Sequence, residues 1–251
     1  IITNSPYKLW TNEEYVNAWY KSNGAHTNEM IFEVVNASND DWTDRNGIAY
    51  LLNENGYADA IVTKSFMNML SQDPKDVRIG MVLPAQYDKD LQEEYGDAKI
   101  FINKFPADKD DVGEMRLNNL PLLRLSEVYL VRAEAYYWLN DDENSQKDLS
   151  SVMRKRISGF GSLGVSGDDL LKEIKNERAR ELYLEGFRLS DLKRWHDPIK
   201  RQKQLYSLQG PYNNEMEVKY TDAKYRFTTW PIPKHEIEAT NGLVVGNASN
   251  N

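Results

Sequence analysis

Two runs between Leu122 and Trp195 constrain this chain more than any other feature. They are Leu122-Leu-Arg-Leu-Ser-Glu-Val-Tyr-Leu-Val-Arg-Ala-Glu-Ala135 and Glu177-Arg-Ala-Arg-Glu-Leu-Tyr-Leu-Glu-Gly-Phe-Arg-Leu-Ser-Asp-Leu-Lys-Arg-Trp195. Both place arginines and carboxylates inside strongly apolar helical patterns. An unpaired charge is costly to bury, so each of these residues needs a partner in the fold.

The carboxylates admit two readings. Glu127 and Glu134 are seven residues apart and fall on one helix face, about 10 Å from each other. Glu177 and Glu181 are four apart and also share a face. Paired carboxylates are the equipment of a glycoside hydrolase. Here they alternate with arginines, and a neighbouring guanidinium lowers a carboxyl pKa, which disables a general acid. Structural ion pairs are therefore expected at Arg124, Glu127, Glu134, Glu177, Arg178, Glu181, Arg188, Asp191 and Arg194, with no catalytic residue.

Other chemistries find little support. The chain has 251 residues and a net charge of −8, so a nucleic-acid partner is not expected, because phosphate binding needs a basic face. Without cysteine there is no disulfide, thiol nucleophile or thiolate metal site. His26, His196 and His235 are scattered without metal-ligand spacing, so neither metal nor cofactor is expected. Gly159-Phe-Gly-Ser-Leu-Gly164 matches a dinucleotide fingerprint but follows a helical pattern, where the fingerprint requires a strand. No apolar run is long enough to cross a bilayer as a helix. The start at Ile1 suggests a processed or trimmed product.

Local patterns give a mainly α fold with a tetratricopeptide-like helical hairpin, a large loop-rich region and a few short strands. Thr11 and Glu14 form a capping box ahead of a short helix whose Trp19 is assigned to the core. Glu29–Val35 reads as a strand, and Ser65–Leu70 as a helix stopped by Asp73-Pro74. Two short strands are expected between Asp76 and Phe105. Leu120–Leu139 reads as one helix, apolar round most of its circumference and so buried. Asn140-Asp-Asp turns the chain into a returning helix over Glu143–Arg156, and Ser166-Gly-Asp-Asp caps a third. Only one hairpin is clear, with no tandem period. Thr229-Trp-Pro-Ile-Pro233 must be extended.

The segment from Asn36 to Asp59 is polar, with aromatics interspersed, and reads as a loop of the length that often carries function. Trp42, Tyr50 and Tyr57 offer rings, and Asp44, Arg45 and Asn46 offer hydrogen-bonding groups. Sugars present apolar faces to rings and hydroxyls to amides, carboxylates or guanidinium groups, so these six are the candidate ligand-binding residues. The competing role is that the rings pin the loop to the body, and it is favoured for Tyr50 and Tyr57.

Five segments together resemble the carboxy-terminal part of the SusD/RagB family. They are Asn28-Glu-Met-Ile-Phe-Glu-Val34, Asp76-Val-Arg78, Leu123-Arg-Leu-Ser-Glu-Val-Tyr-Leu-Val-Arg-Ala-Glu-Ala135, the Glu177–Trp195 helix, and Trp230-Pro-Ile-Pro-Lys-His-Glu-Ile237. Ser190, where the family usually has an aromatic, and the Leu243–Asn247 tail depart from its pattern. The resemblance implies one family domain over 1–251: a loop-rich ligand-binding region at 1–119, a helical scaffold at 120–195, and an irregular tail at 196–251 packing on the helices. It further implies non-catalytic binding of a glycan or other nutrient at the outer-membrane surface, and delivery to a SusC-like TonB-dependent transporter. The lipid anchor would lie in an amino-terminal half outside this sequence. The alternatives are an α-helical glycoside hydrolase and a tetratricopeptide-type interaction scaffold.

Overall fold

The computed structural model describes residues 1–20, 27–36, 47–52, 56–57, 60–84, 100–106, 118–201, 216–222, 224–225, 229–241 and 243–247. The fold is mainly α, with three two-stranded sheets among these residues. The chain divides into two compact units, 1–185 and 186–251.

The first unit opens with α1, Asn12–Ala18, closed by the Thr11–Glu14 capping box. Its Tyr15 and Trp19 join Trp10 and Phe105 in a buried aromatic cluster, each ring meeting its neighbour edge-on at 5.5–6.2 Å. This edge-to-face geometry suits the ring quadrupole. Strand β1, Met30–Val34, follows, then α2, Ile48–Leu52, and α3, Lys64–Leu70. A 3-10 turn over Val77–Met81 leads into β2, Val82–Pro84, which pairs antiparallel with β3, Ile100–Ile102.

Two sequence expectations are corrected here. Helix α2 lies inside the segment read as loop. Its Ala49 and Leu52 are buried against the Trp10–Trp19 cluster, and that burial selects helix over loop. The run from Leu120 to Leu139 is not one helix. Leu120–Arg124 forms β4, antiparallel to β1 with Val34 opposite Leu120 and Met30 opposite Arg124. Pro121 explains the change, since it drives Leu120 out of the helical region. On a two-stranded ribbon its missing N–H also costs little.

Helix α4 then spans Leu125–Trp138 and α5 spans Asp142–Arg156. They pack as a hairpin in which Ser145 Oγ donates to the Ala133 carbonyl at 2.7 Å, and Arg132 bridges Asp148 at 2.6 Å. Leu149, Val152 and Met153 face inward. Helix α4 is not buried all round as expected. Val131, Ala135 and Trp138, at i, i+4 and i+7, remain exposed, because its apolar girth exceeds what the packed helices cover.

Helix α6 covers Gly167–Glu181 and buries Leu170 and Ile174. Ser166 occupies its N-cap without a side-chain bond, and the amide of Gly167 donates to Asp142 Oδ2 at 3.0 Å. Gly159–Gly164 joins α5 to α6, a helix-to-helix link unlike the strand-to-helix turn of a dinucleotide site.

The second unit holds α7, Arg188–Arg194, the antiparallel pair β5 (Ile199–Arg201) and β6 (Met216–Val218), and α8, Lys234–Ala239. His196 stacks on Tyr220 with centroids 3.8 Å apart, and the Tyr225 hydroxyl reaches the carbonyls of Leu192 and Asp197. Arg194 pairs with Asp191 at 2.9 Å. Burial draws the Arg188 guanidinium down while Asp191 and Asp197 pull it up.

Candidate ligand-binding face and its buried scaffold

Of the six candidate ligand contacts, Trp42, Asp44, Arg45 and Asn46 lie outside the described residues. The structure brings the other two together. Tyr50 sits on α2 and packs against the aromatic core, while Tyr57 meets it edge-on at 4.9 Å and 87°. The Tyr57 amide donates to the Tyr50 carbonyl at 2.8 Å. The turn depends on Gly56, where a Cβ would stand 2.0 Å from the Tyr50 carbonyl oxygen. Tyr57 is 50% exposed, so its ring and hydroxyl are open to a ligand, with Tyr50 behind it as a support. At the start of the segment, the Asn36 amide donates to Asn119 Oδ1 at 3.0 Å, and its side-chain nitrogen donates to the Asn118 carbonyl at 2.7 Å. A polar clamp and an apolar helix thus anchor the described ends of the 36–59 segment.

Beside this anchorage lies a buried ionic cluster. Among the described residues, Arg78, Lys104, Arg124, Arg156 and Arg180 meet Glu29, Asp76, Glu177, Glu181 and Glu185, so each buried cation has a carboxylate partner. Glu181 is at its centre, 2.9 Å from both Arg124 and Arg156 and 3.2 Å from Arg78. Glu29 receives Arg124 and Arg156 at 2.7 Å each. Glu177 receives Arg78 at 2.7 Å and Arg180 at 2.9 Å, and Arg180 also pairs with Glu173. Asp76 grips Arg78 through both carboxylate oxygens. Lys104 donates to Glu185 and to the carbonyls of Glu181 and Tyr183.

Aromatic rings complete the cage. Arg156 lies 4.4 Å from the Tyr15 ring, Arg124 5.2 Å from Trp19, and Lys104 4.2 Å from Tyr183. Burial alone would raise Glu181, yet Arg156 and Arg124 hold its carboxyl well below the ordinary 4.5. Glu185 is held down in the same sense by Arg124 and Lys104. For Lys104 burial prevails over Glu185 and lowers the amine to about 8. Elsewhere, Glu134 is buried and accepts from Trp138 Nε1 at 3.3 Å, Glu127 is half-buried, and Arg178 is buried on α6.

Residue pattern alone did not assign Glu29, Asp76, Arg78, Lys104, Arg156 or Glu185 to this network. Glu29, Asp76, Arg78 and Glu185 stand inside recognisable motifs, which was the available signal. Lys104 and Arg156 carry none, because their partners come from distant parts of the chain.

The order of the segments, the hairpin and the buried cluster all point one way, and the sequence profile of the SusD family matches residues 7–249. The chain belongs to the SusD family. It is 34% identical over 125 residues to the starch-binding protein SusD of Bacteroides thetaiotaomicron, covering 50% of this chain and 20% of that protein. A SusD superfamily structure from Bacteroides vulgatus superposes with a TM-score of 0.77 at 28% identity, over 96% of this chain and 50% of the other. A laminarin-binding SusD-like protein matches with a TM-score of 0.53 at 29% identity, over 75% of this chain and 46% of its own. The chain therefore spans about half the length of these solved relatives.

Proposed function

We propose that this chain forms the ligand-holding part of a non-catalytic glycan-binding protein. It would work at the outer-membrane surface, lipid-anchored through a region outside this sequence, and pass its ligand to a SusC-like TonB-dependent transporter. The observation that carries the reading is family membership over 7–249, with relatives that bind starch and laminarin. The buried cluster supports the absence of chemistry. Glu177 and Glu181 are fully enclosed by arginines, whereas a glycosidase needs a carboxylic acid with a raised pKa facing its substrate.

The ligand face is assigned to the 36–59 segment, with Trp42, Asp44, Arg45 and Asn46 as contacts beside the exposed Tyr57 and the supporting Tyr50. Isothermal titration against neutral glucans, comparing the native chain with Trp42→Ala, tests this. Loss of affinity supports the assignment, and unchanged affinity for a confirmed ligand overturns it. Co-purification of the full-length protein with a barrel transporter from detergent tests the partner. Release of reducing sugar from a bound glucan would reject the non-catalytic reading.

A further inference from the structure

A concavity lies in the first unit, lined by described residues of the amino-terminal segment, α1 and the α4–α5 hairpin. It holds about 570 Å³, within the roughly 300–1,000 Å³ usual for small-molecule sites. Leu9 and Leu125 give it apolar wall, and Tyr7 and Tyr129 add two half-buried rings. Burial first, and Asp148 second, push the Tyr129 phenol up against the pull of Arg132, and its hydroxyl is a donor at neutral pH as any tyrosine's is. Asn28 and Ser151 contribute an amide and a hydroxyl.

The charge of this concavity opposes that of the chain. On a molecule of net charge −8, Lys8, Arg154 and Lys155 line it against one carboxylate, Glu14, among the described residues. Glu14 is already engaged, since its Oε2 accepts the Thr11 amide at 2.8 Å. Glu13 also acts on Lys155 and offsets part of the excess. Arg154 is oriented by its Nε, which donates to the Gly161 carbonyl at 2.7 Å. An end-on pairing with a carboxylate uses the two Nη groups instead.

Rings to stack on, hydroxyl and amide partners, and adjacent cations on one helix end together describe one ligand chemistry. We infer that this concavity binds an acidic sugar unit, a pyranose bearing a carboxylate, with the carboxylate on Arg154 and Lys155 and the ring against Tyr129. That the carboxylate belongs to a sugar rests on the glycan-binding reading above. The site itself shares no residue with the 36–59 segment.

Calorimetric titration of the 251-residue chain with trigalacturonate, its methyl ester and sodium sulfate tests the inference. The ester keeps the rings and removes the charge. Trigalacturonate is expected to bind roughly tenfold or more tightly than the ester, the size of one charge-assisted hydrogen bond. Arg154→Ser with Lys155→Ser should erase that preference. Tyr129→Leu should weaken trigalacturonate binding without altering any response to sulfate. Both variants replace side chains outside the buried ionic cluster, and a thermal melt of each confirms folding. Trp42→Ala should leave acidic-sugar binding intact, so failure here and failure of the loop assignment give different results. No trigalacturonate binding, equal binding of the ester, or trigalacturonate affinity that Tyr129→Leu does not change would each overturn the inference.

Discussion

Nη1 of Arg124 stands 2.9 Å from Oε1 of Glu181, and both side chains are fully buried. One belongs to β4 and the other to α6, so this pair joins the sheet to the third helix of the scaffold. Taking charge out of water is costly, and the cluster tolerates it only because each member meets several partners. Glu181→Ala would leave Arg78, Arg124 and Arg156 each short of a counter-ion. The expected loss is about 3–5 kcal/mol, read from the urea midpoint. The exposed Lys200–Glu217 pair, 3.3 Å apart, is the contrast, and Lys200→Ala should cost about 0–1 kcal/mol. Equal effects at the two sites would contradict the central role given to Glu181.

Acid should loosen the same cluster. Glu181 and Glu185 have folded pKa values below the ordinary 4.5. Such groups contribute stability in full above their unfolded pKa and lose it as pH falls through the folded value. Stability should therefore change little from neutral pH down to about 5, then decline below about 4.5. Glu181→Gln should start lower and show a shallower acid limb. Urea titrations at several pH values measure both, and a variant whose acid limb is as steep as the native one would refute the linkage.

How legible these features were depends on how local their causes are. The Thr11–Glu14 box is written in four residues, and the α1 start follows from it. The carboxylates and arginines of α6 and β4 announced a need for partners but not who the partners were. Arg156 meets Glu29 across 127 positions, and Lys104 meets Glu185 across 81, separations that no helical or strand period encodes. Leu120–Arg124 misled because its apolar pattern suits a helix, and pairing with β1 overrides that pattern. Pro121 was the local clue. Among the candidate ligand contacts, the sequence favours for Tyr50 the role of pinning its segment to the body, but not which residues it packs against, since the Trp10–Trp19 cluster lies far back in sequence.

The Tyr50–Tyr57 turn gives a local test of the ligand face. Any side chain at Gly56 must displace the Tyr50 carbonyl, because its Cβ would fall 2.0 Å from that oxygen. Gly56→Ala is expected to cost about 1–3 kcal/mol, as overpacking does elsewhere. It should also reduce glycan affinity by moving Tyr57, while the buried cluster keeps its acid profile. Tyr57→Phe separates ring from hydroxyl, since affinity kept in Phe and lost in Ala assigns the contact to the ring face. Full affinity in both Gly56→Ala and Tyr57→Ala would remove this turn from the site.

The exposed apolar stripe on α4 makes a different prediction from the core beneath it. Val131 is 52% exposed, and the adjacent Leu130 is fully buried. Charge placed on an exposed helix position away from caps and networks changes stability by about 0.5 kcal/mol or less. Truncation of a buried leucine removes transfer energy and leaves a cavity, at about 2–5 kcal/mol. Val131→Glu should therefore leave the urea midpoint of the 251-residue chain nearly unchanged, while Leu130→Ala lowers it sharply. Contiguous apolar surface also promotes association, so Val131→Glu should reduce binding of a hydrophobic dye and any concentration-dependent sedimentation. A Val131→Glu chain as unstable as Leu130→Ala would mean that this face is packed in solution rather than open.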